Sequence, residues 1–251
     1  MHRYFLLASG MLLSLTACSN MKAWTHVKWD YGTGSNVDIT TNTRTEFYRK
    51  GKLIYADTDA GGGAGGLLSD RISARRYYWA GGGGLPVENV HVPDKAVVEM
   101  VSLYDRKRYR ITVSFPKDLP EQMNRQYNIN GKIDQRNWLY FGLAPGGYYE
   151  VLLFGSSNGV SPDILLSRGI AEEVTDDWYD KKFPIAVSQY TITLKNFDKK
   201  YDGLYKKHPI PTGMEWAPIM DAYRAKQPKQ TSTPSNNYFN GAAYHNAALF
   251  H

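Results

Sequence analysis

The most regular hydrophobic pattern in the chain covers residues 109–115, where apolar and polar positions alternate strictly. A period of two predicts a β-strand that packs one face on a core and exposes the other to water. The preceding residues 96–104 are rich in Val, Met, Leu and Tyr, and the charged residues 105–108 between the two segments favour a turn. The pattern therefore predicts an antiparallel hairpin whose turn lies in solvent.

A second hairpin is predicted directly downstream of the first. Residues 137–141 and 148–154 are apolar and rich in aromatic side chains, and the connection between them contains three glycines and a proline. Proline fixes φ and glycine allows positive φ, so this connection suits a tight turn. The centre of the chain is therefore expected to contain two consecutive hairpins.

Weaker patterns predict further strands on both sides of this centre. Towards the N-terminus they cover residues 24–29, 37–43 and 46–55, with a turn near residues 49–52. Towards the C-terminus, residues 189–195 alternate between apolar and polar positions and predict a core strand.

One helix is predicted near the C-terminus, over residues 217–226. Pro218 suits the first turn, and Ile219, Met220 and Tyr223 follow one face. These elements together predict a mainly β protein, an antiparallel sandwich-like β-domain with a short C-terminal helix and a flexible tail.

The first residues have the features of an export signal. Residues 4–15 are almost uninterruptedly apolar, and Leu15, Thr16, Ala17 and Cys18 after them match a lipoprotein processing site. A helix of about twelve residues reaches only about 18 Å, short of the roughly 30 Å hydrocarbon core of a bilayer. We therefore expect cleavage after Ala17 and lipidation of Cys18. The alternative is an ordinary buried cysteine.

These features divide the chain into a signal peptide at residues 1–17, a periplasmic β-rich domain at 18–226 and a low-complexity tail at 227–251. The tail is rich in Gln, Lys, Ser, Thr and Pro at its start, a composition that buries too little apolar surface to order itself. Cys18 is the only cysteine, so a lipidated protein has no disulfide. The net charge of +6 comes from scattered basic residues, which disfavours nucleic acid as a partner.

One catalytic motif is present in outline. Residues 155–159 read Gly-Ser-Ser-Asn-Gly after an apolar strand, as in the nucleophile elbow of a serine hydrolase, with Ser157 as the candidate nucleophile. An elbow requires a helix directly after the serine, whereas residues 160–163 contain Pro162 and are typical of a loop. A turn made of Gly, Ser and Asn explains the same residues without catalysis. A serine esterase is therefore a third hypothesis, after the two binding functions described below.

Metal and cofactor sites are not indicated by the sequence. The histidines lack the spacing of zinc ligands. The acidic residues Glu172, Glu173, Asp176 and Asp177 could hold a hard cation, but they lack a calcium-loop pattern and are expected to be solvated. We predict a binding protein rather than an enzyme, with no catalytic residue, no metal and no cofactor.

An aromatic run, Tyr77, Tyr78 and Trp79, lies between glycine-rich segments at residues 61–66 and 81–84. Both glycine segments lack the Gly-Lys-Ser/Thr pattern of a phosphate-binding loop and are predicted to be mobile loops. Clustered aromatic side chains are often core residues, but beside two loops they can also form an exposed edge that binds a partner. Both interpretations stay open for these three residues.

Several short motifs with characteristic spacing occur in the central region. The most specific is Phe-Gly-Leu-Ala-Pro-Gly-Gly at residues 141–147, followed by an alternating strand. The others are Pro93-Asp94-Lys95, Ser102, Asp105 to Lys107, Tyr109 and Phe115-Pro116. In these motifs the chain resembles a bacterial lipoprotein family known as domain of unknown function 2931. It departs from that pattern at Val101, where a tryptophan is expected.

The resemblance implies a compartment and a class of partner. A lipoprotein of this kind with Ser19 after Cys18 is expected on the periplasmic face of the outer membrane, attached through its lipid anchor. Members of the family look like immunity proteins found with antibacterial phospholipase effectors of type VI secretion. The resemblance therefore implies a protein that binds and neutralises such an effector. The alternative is an envelope housekeeping lipoprotein that binds the cell wall, lipid or an assembly protein.

Overall fold

The structure is a computed structural model, which describes residues 28–58, 68–81, 85–87, 90–155, 162–182 and 184–233. Its strands are β1 (Trp29–Ser35), β2 (Thr40–Arg49), β3 (Lys52–Thr58), β4 (Ala80–Gly81), β5 (Leu85–Val87), β6 (Lys95–Ser102), β7 (Lys107–Ser114), β8 (Gln126–Ile129), β9 (Lys132–Gln135), β10 (Trp138–Ala144), β11 (Tyr148–Phe154), β12 (Ile164–Ile170), β13 (Glu172–Glu173) and β14 (Thr231–Thr233). Its helices are α1 (Leu68–Ser73), α2 (Leu119–Asn124), α3 (Trp178–Lys182), α4 (Pro184–Lys207) and α5 (Trp216–Arg224).

The strands form three sheets, which confirms the predicted mainly β, antiparallel class. The first sheet has the order β12-β11-β10-β1-β4, and β5 also pairs with β1. The second sheet has the order β13-β7-β6-β2-β3, and a small third sheet has the order β14-β8-β9. Strand β1 runs parallel to β10, whereas the other described pairs are antiparallel.

Both predicted central hairpins are present. Strands β6 and β7 pair along their whole length, and Arg106 in their turn has a φ of 57°. Strands β10 and β11 also pair throughout, and Gly146 and Gly147 between them have φ values of 79° and 74°, which favour glycine. The turn predicted near residues 49–52 joins β2 to β3, with Lys50 and Gly51 at positive φ.

The first sheet is covered on both faces, which gives the domain three layers. Leu139 and Phe141 of β10 lie in a core shared with the second sheet. Tyr140 of β10 and Tyr148 of β11 lie in another core, shared with α1, α4 and α5. Because alternate side chains of a strand point to opposite faces, these two strands are apolar almost throughout.

The prediction of a core strand at residues 189–195 is wrong, because this segment lies within α4. The buried aromatic side chains of Phe197, Tyr201 and Tyr205 recur every four residues, which is the spacing of one helix face. The side chain of Ile192 is 60% exposed, so the short alternation around it does not mark a core face. The helical spacing of the buried aromatic residues extends over more of the chain than the short alternation does, and it agrees with the observed helix.

The strand predicted at residues 37–43 begins later, as part of β2. The side chain of Asn36 accepts a hydrogen bond from the Val37 N–H at 2.8 Å, and that of Asp38 accepts one from the Ile39 N–H at 2.7 Å. Such local bonds offer the backbone an alternative to a strand ladder. They hold residues 36–39 in a bend between β1 and β2.

The C-terminal helix is confirmed as α5, close to its predicted position. Beyond it, ordered structure continues past residue 226, because β14 pairs with β8 within the segment predicted to be a tail. Residues 234–251 of that tail lie outside the described residues.

The parallel pairing of β1 and β10 gives the first sheet two distinct ends. Asp30 lies opposite Trp138, and the Asn137 side chain donates a hydrogen bond to the Lys28 carbonyl at 3.1 Å. We call this the Lys28 end. The opposite end carries the β10–β11 turn at residues 145–147, and we call it the turn end. Since a strand rises about 3.3 Å per residue, the two ends are about 20 Å apart.

Candidate partner-binding surface

Some of the motif residues on which the family resemblance rests meet at the turn end, whereas Asp94 and Phe115 are joined by a backbone hydrogen bond at the opposite end of the β6–β7 hairpin. Asp105 Oδ2 accepts hydrogen bonds from the Gly146 N–H at 2.7 Å and from the Tyr109 hydroxyl at 3.1 Å. Ser102 Oγ accepts one from the Asp105 N–H at 3.0 Å. One carboxylate therefore joins the β6–β7 turn of the second sheet to the β10–β11 turn of the first sheet. We call this connection the joint.

The glycines of the β10–β11 turn leave no room for side chains. A Cβ on Gly147 would lie 2.8 Å from the ring of Tyr109, and one on Gly146 would collide with backbone atoms just before α5. The indole N–H of Trp216 donates to the Pro145 carbonyl at 3.2 Å. Close packing thus explains the Pro-Gly-Gly residues of the motif, without a catalytic role.

A buried carboxylate lies behind this joint. Asp38 is fully buried and accepts hydrogen bonds from the Ser102 hydroxyl at 2.5 Å and from the Tyr104 N–H at 3.0 Å. Burial raises the pKa of Asp38 to about 7, although these hydrogen bonds act in the opposite direction. The burial of Asp38 is not predictable from the sequence, because a single Asp in a polar segment carries no signal of burial.

An open cleft lies beside the joint, between the β6–β7 turn and α4. It has a volume of about 220 Å³ and is lined by Tyr104, Arg106, Phe197, Asp198, Asp202, Tyr205 and Lys206. Tyr104 and Tyr205 meet edge to face with their ring centroids 4.7 Å apart, and the Tyr205 hydroxyl donates to the Val37 carbonyl at 2.7 Å. These contacts fix the aromatic floor of the cleft.

Two exposed ion pairs form the rim of the cleft. Arg106 Nη2 lies 2.7 Å from Asp198 Oδ2, and Lys206 Nζ lies 2.8 Å from Asp202 Oδ2. Exposed pairs of this kind contribute little to stability, so their members can exchange partners at low cost. An aromatic floor inside a charged rim is typical of protein–protein interfaces. The cleft is therefore our candidate partner-binding surface.

The predicted partner-binding residues lie away from the cleft, against α5. Trp79 is only 6% exposed, and its indole N–H donates to Glu150 Oε2 at 2.7 Å. The expectation of an exposed edge is therefore wrong for Trp79, because its N–H has a buried acceptor. Tyr77 and Tyr78 are half-buried and pack against aromatic rings of α5. A role for these two residues in partner binding stays a prediction.

A buried charge network fastens α5 to β11. Glu150 is 0% exposed and accepts hydrogen bonds from Trp79, from the Tyr148 hydroxyl at 2.8 Å and from two nitrogens of Arg224 at 2.7 and 3.1 Å. Burial lowers the pKa of Arg224, but Glu150 and Asp221 outweigh it, and the pKa is raised overall. In the sequence, Glu150 is only one acidic residue within an apolar strand.

The acidic residues near β13 are exposed as expected, and they also pair with basic residues. Strand β13 pairs with β7, so its carboxylates lie beside the charged side chains of β7. The resulting ion pairs are Glu172–Arg110, Glu173–Lys107, Asp176–Arg108 and Asp177–Lys181. In the described part of the chain, no group of three or more His, Cys, Asp or Glu side chains is arranged to hold a metal ion.

Several predicted features lie outside the described residues. They are the signal peptide and the lipobox with Cys18, residues 24–27 of the first predicted strand, the glycine segments at 61–66 and 82–84, and Ser157 with the loop around it. Among the helices that the structure does describe, none is long and apolar enough to cross a membrane.

Comparison with protein families identifies the chain. A family model described as "Protein of unknown function (DUF2931)" matches residues 12–213, which include all the motifs that meet at the turn end. The chain belongs to the DUF2931 family. No curated protein and no solved structure matches the chain. The family description gives no activity.

Proposed function

We propose that this DUF2931 protein is a lipid-anchored lipoprotein of the outer membrane that binds and neutralises a type VI secreted antibacterial phospholipase. In this proposal Cys18 carries the lipid after cleavage behind Ala17, and the cleft at the turn end contacts the effector. The observation that carries the proposal is the position of the cleft, which lies at the opposite end of the first sheet from Lys28.

The geometry of attachment supports this orientation. Lys28 is ten residues from Cys18, and a fully extended chain of ten residues reaches at most about 35 Å. The domain would therefore stay close to the bilayer, with its Lys28 end nearest the attachment point. The length of β10 then separates the cleft from that end by a further distance of about 20 Å. A soluble protein in the periplasm could reach the cleft without displacing the membrane.

The chemistry of the cleft supports a protein as the partner. Tyr104 and Tyr205 pack against each other and are held in place, so a partner that binds on top of them does not have to order these two side chains. Arg106 and Lys206 can exchange their exposed carboxylate partners for carboxylates of an effector. An effector bound there would be covered near its active-site mouth before it reaches the bilayer.

A contact-dependent competition assay tests this function. A strain lacking the gene competes against its parent, with and without a working type VI apparatus in the parent. We expect the deletion strain to be killed only by the secretion-competent parent, and the protein with Cys18 intact to rescue it. Equal survival beside both parents would contradict the proposal. Slow growth of the deletion strain on its own would favour an envelope housekeeping role instead.

A further inference from the structure

Arg136 is a buried cation at the Lys28 end that leaves most of its donors unused. Its side chain is 0% exposed, its Nη2 donates to Gln230 Oε1, and its guanidinium lies 4.8 Å from the centre of the Tyr127 ring. Among the described residues, no acceptor lies within hydrogen-bond distance of Nε or Nη1. Burying a charged group without full hydrogen bonding is costly, and such groups are rare in proteins.

A second unused donor lies beside β9, the strand that leads into Arg136. The Nδ2 group of Asn124 is buried and has no acceptor among the described residues. The other atom of this amide, Oδ1, accepts a hydrogen bond from the side chain of Gln135, the residue before Arg136. This part of the protein therefore holds an excess of hydrogen-bond donors together with a positive charge.

Two acids lie near Arg136, but neither accepts a hydrogen bond from its Nε or Nη1. The buried carboxylate of Asp134 acts on the charge of Arg136 more strongly than Asp163 does. Burial raises the pKa of Asp163 to about 6, and the hydrogen bond with Gln227 and the charges of Arg224 and Arg136 lower it only partly. Its backbone N–H donates to Gln227 Oε1 at 2.8 Å. A buried group with several free donors and a positive charge is suited to an anion.

A thin C-terminal strap, residues 227–233, covers Arg136. Gln227 holds it to Asp163, Gln230 holds it to Arg136, and β14 pairs with β8. All three residues of β14 are exposed. Segments with few buried contacts open locally at low free energy, so the strap can lift without unfolding the sheets beneath it.

We propose that Arg136 and Asn124 form a phosphate-binding site beneath the strap. A phosphate group would replace the Gln230 amide oxygen at Nη2 and would accept hydrogen bonds from the donors that are unused in the closed state. Guanidinium groups bind phosphate oxygens strongly, through several charge-assisted hydrogen bonds. The phosphate comes from a lipid headgroup if the Lys28 end faces the bilayer, which rests on the proposed anchoring, or from the free anion otherwise.

The site can be tested by calorimetric titration of the protein purified from its own membranes in a non-ionic detergent. One arm uses inorganic phosphate, and the other uses a short-chain phosphatidylglycerol below its micelle concentration. Arg136→Met is expected to weaken binding at least about tenfold, as the loss of a charge-assisted contact does. The control Arg125→Met removes an arginine that is paired with Glu121, and it should bind as the unchanged protein does.

A second variant keeps the test decisive if Arg136→Met does not fold. Gln230→Ala leaves Arg136 in place but removes the acceptor with which phosphate competes, so its affinity for the anion should rise several-fold. Binding of phosphatidylglycerol alone identifies a lipid headgroup as the ligand. Binding of both compounds, or of inorganic phosphate alone, identifies the free anion as the ligand. Absence of binding in both arms, equal binding by Arg136→Met, or an unchanged affinity of Gln230→Ala would overturn the proposal.

Discussion

The carboxylate of Asp105 and the backbone N–H of Gly146 are joined by a 2.7 Å hydrogen bond across 41 residues of sequence. This bond connects the turns of the two large sheets, and it explains why both residues belong to the motifs shared with the DUF2931 family. The motifs around Asp105 and Gly146 build the framework of the turn end. Of the residues that we assign to partner binding, Arg106 lies within one of these motifs, and Tyr205 packs beside them from α4.

Replacing Asp105 should therefore affect stability. Asp105→Ala removes the acceptor of the Gly146 N–H and of the Tyr109 hydroxyl, so the free energy of unfolding should fall by about 2–3 kcal/mol. Asp118→Ala is the control, since Asp118 is exposed and, in the described structure, its carboxylate accepts a hydrogen bond only from the side chain of Gln122. Urea unfolding of both variants provides the measurement, and an equally small effect of the two would show that the joint is not structural.

The turn glycines allow a matched comparison of two alanine variants. Gly147 and Gly131 both have positive φ, at 74° and 83°, but an added Cβ would meet Tyr109 only at Gly147. Gly131→Ala should lower the free energy of unfolding by about 1 kcal/mol through its backbone conformation alone. Gly147→Ala should lower it by at least about 1 kcal/mol more, because of the clash. Equal effects in thermal or urea unfolding would mean that the ring of Tyr109 moves aside freely.

The buried pair of Glu150 and Arg224 should be costly to break. Glu150→Ala leaves Arg224, Trp79 and Tyr148 without their buried acceptor, so we expect a loss of about 3–5 kcal/mol in the free energy of unfolding. Lys181→Ala removes an exposed pair with Asp177 and should cost less than about 0.5 kcal/mol. Denaturant unfolding distinguishes the two, and a loss below about 1 kcal/mol for Glu150→Ala would contradict the described network.

Asp38 gives the protein a specific pH dependence. Its pKa is about 7 in the folded protein and near its ordinary value of about 4 in the unfolded chain. Between these values the folded state binds more protons, so the free energy of unfolding should fall as pH rises from about 4 to about 7, by up to about 4 kcal/mol. Above that range both states are ionised, and this contribution becomes constant.

The Asp38→Asn variant tests this assignment. Its stability should decline much less over the same pH range, because the amide does not ionise. Asp163, with a raised pKa of about 6, contributes in the same direction and remains in this variant, so Asp163→Asn serves as the comparison. Urea unfolding at several pH values gives the profiles. A decline in Asp38→Asn as steep as in the unchanged protein would rule Asp38 out as its source.

Local patterns were sufficient to predict the two central hairpins and α5, but not the rest of the helical layer. The alternation at residues 109–115 and the glycines at 146 and 147 act within a few residues, and both predicted the correct structure. Helix α4 was missed because its buried aromatic residues form a face only over several turns. The partners of Glu150 and Asp105 lie far away in sequence, so no local pattern could reveal the charge network or the joint.

The cleft itself was also beyond the sequence pattern. Arg106 was predicted in a solvent-exposed turn, which is confirmed, but its neighbours Asp198 and Lys206 come from α4, which was predicted as a strand in part. The aromatic run that was predicted as a binding edge proved partly buried, because Trp79 has a buried hydrogen-bond acceptor.

The competition assay with two charge-reversed proteins tests the central claim most directly. The deletion strain carries either the cleft variant, Arg106→Glu with Lys206→Glu, or a control at the Lys28 end, Lys132→Glu with Lys226→Glu, which changes the same number of exposed charges. At equal cellular abundance of the two proteins, we expect the control to protect fully and the cleft variant to lose at least about tenfold in survival beside a secretion-competent parent. Full protection by the cleft variant would contradict the claim that the effector binds in the cleft.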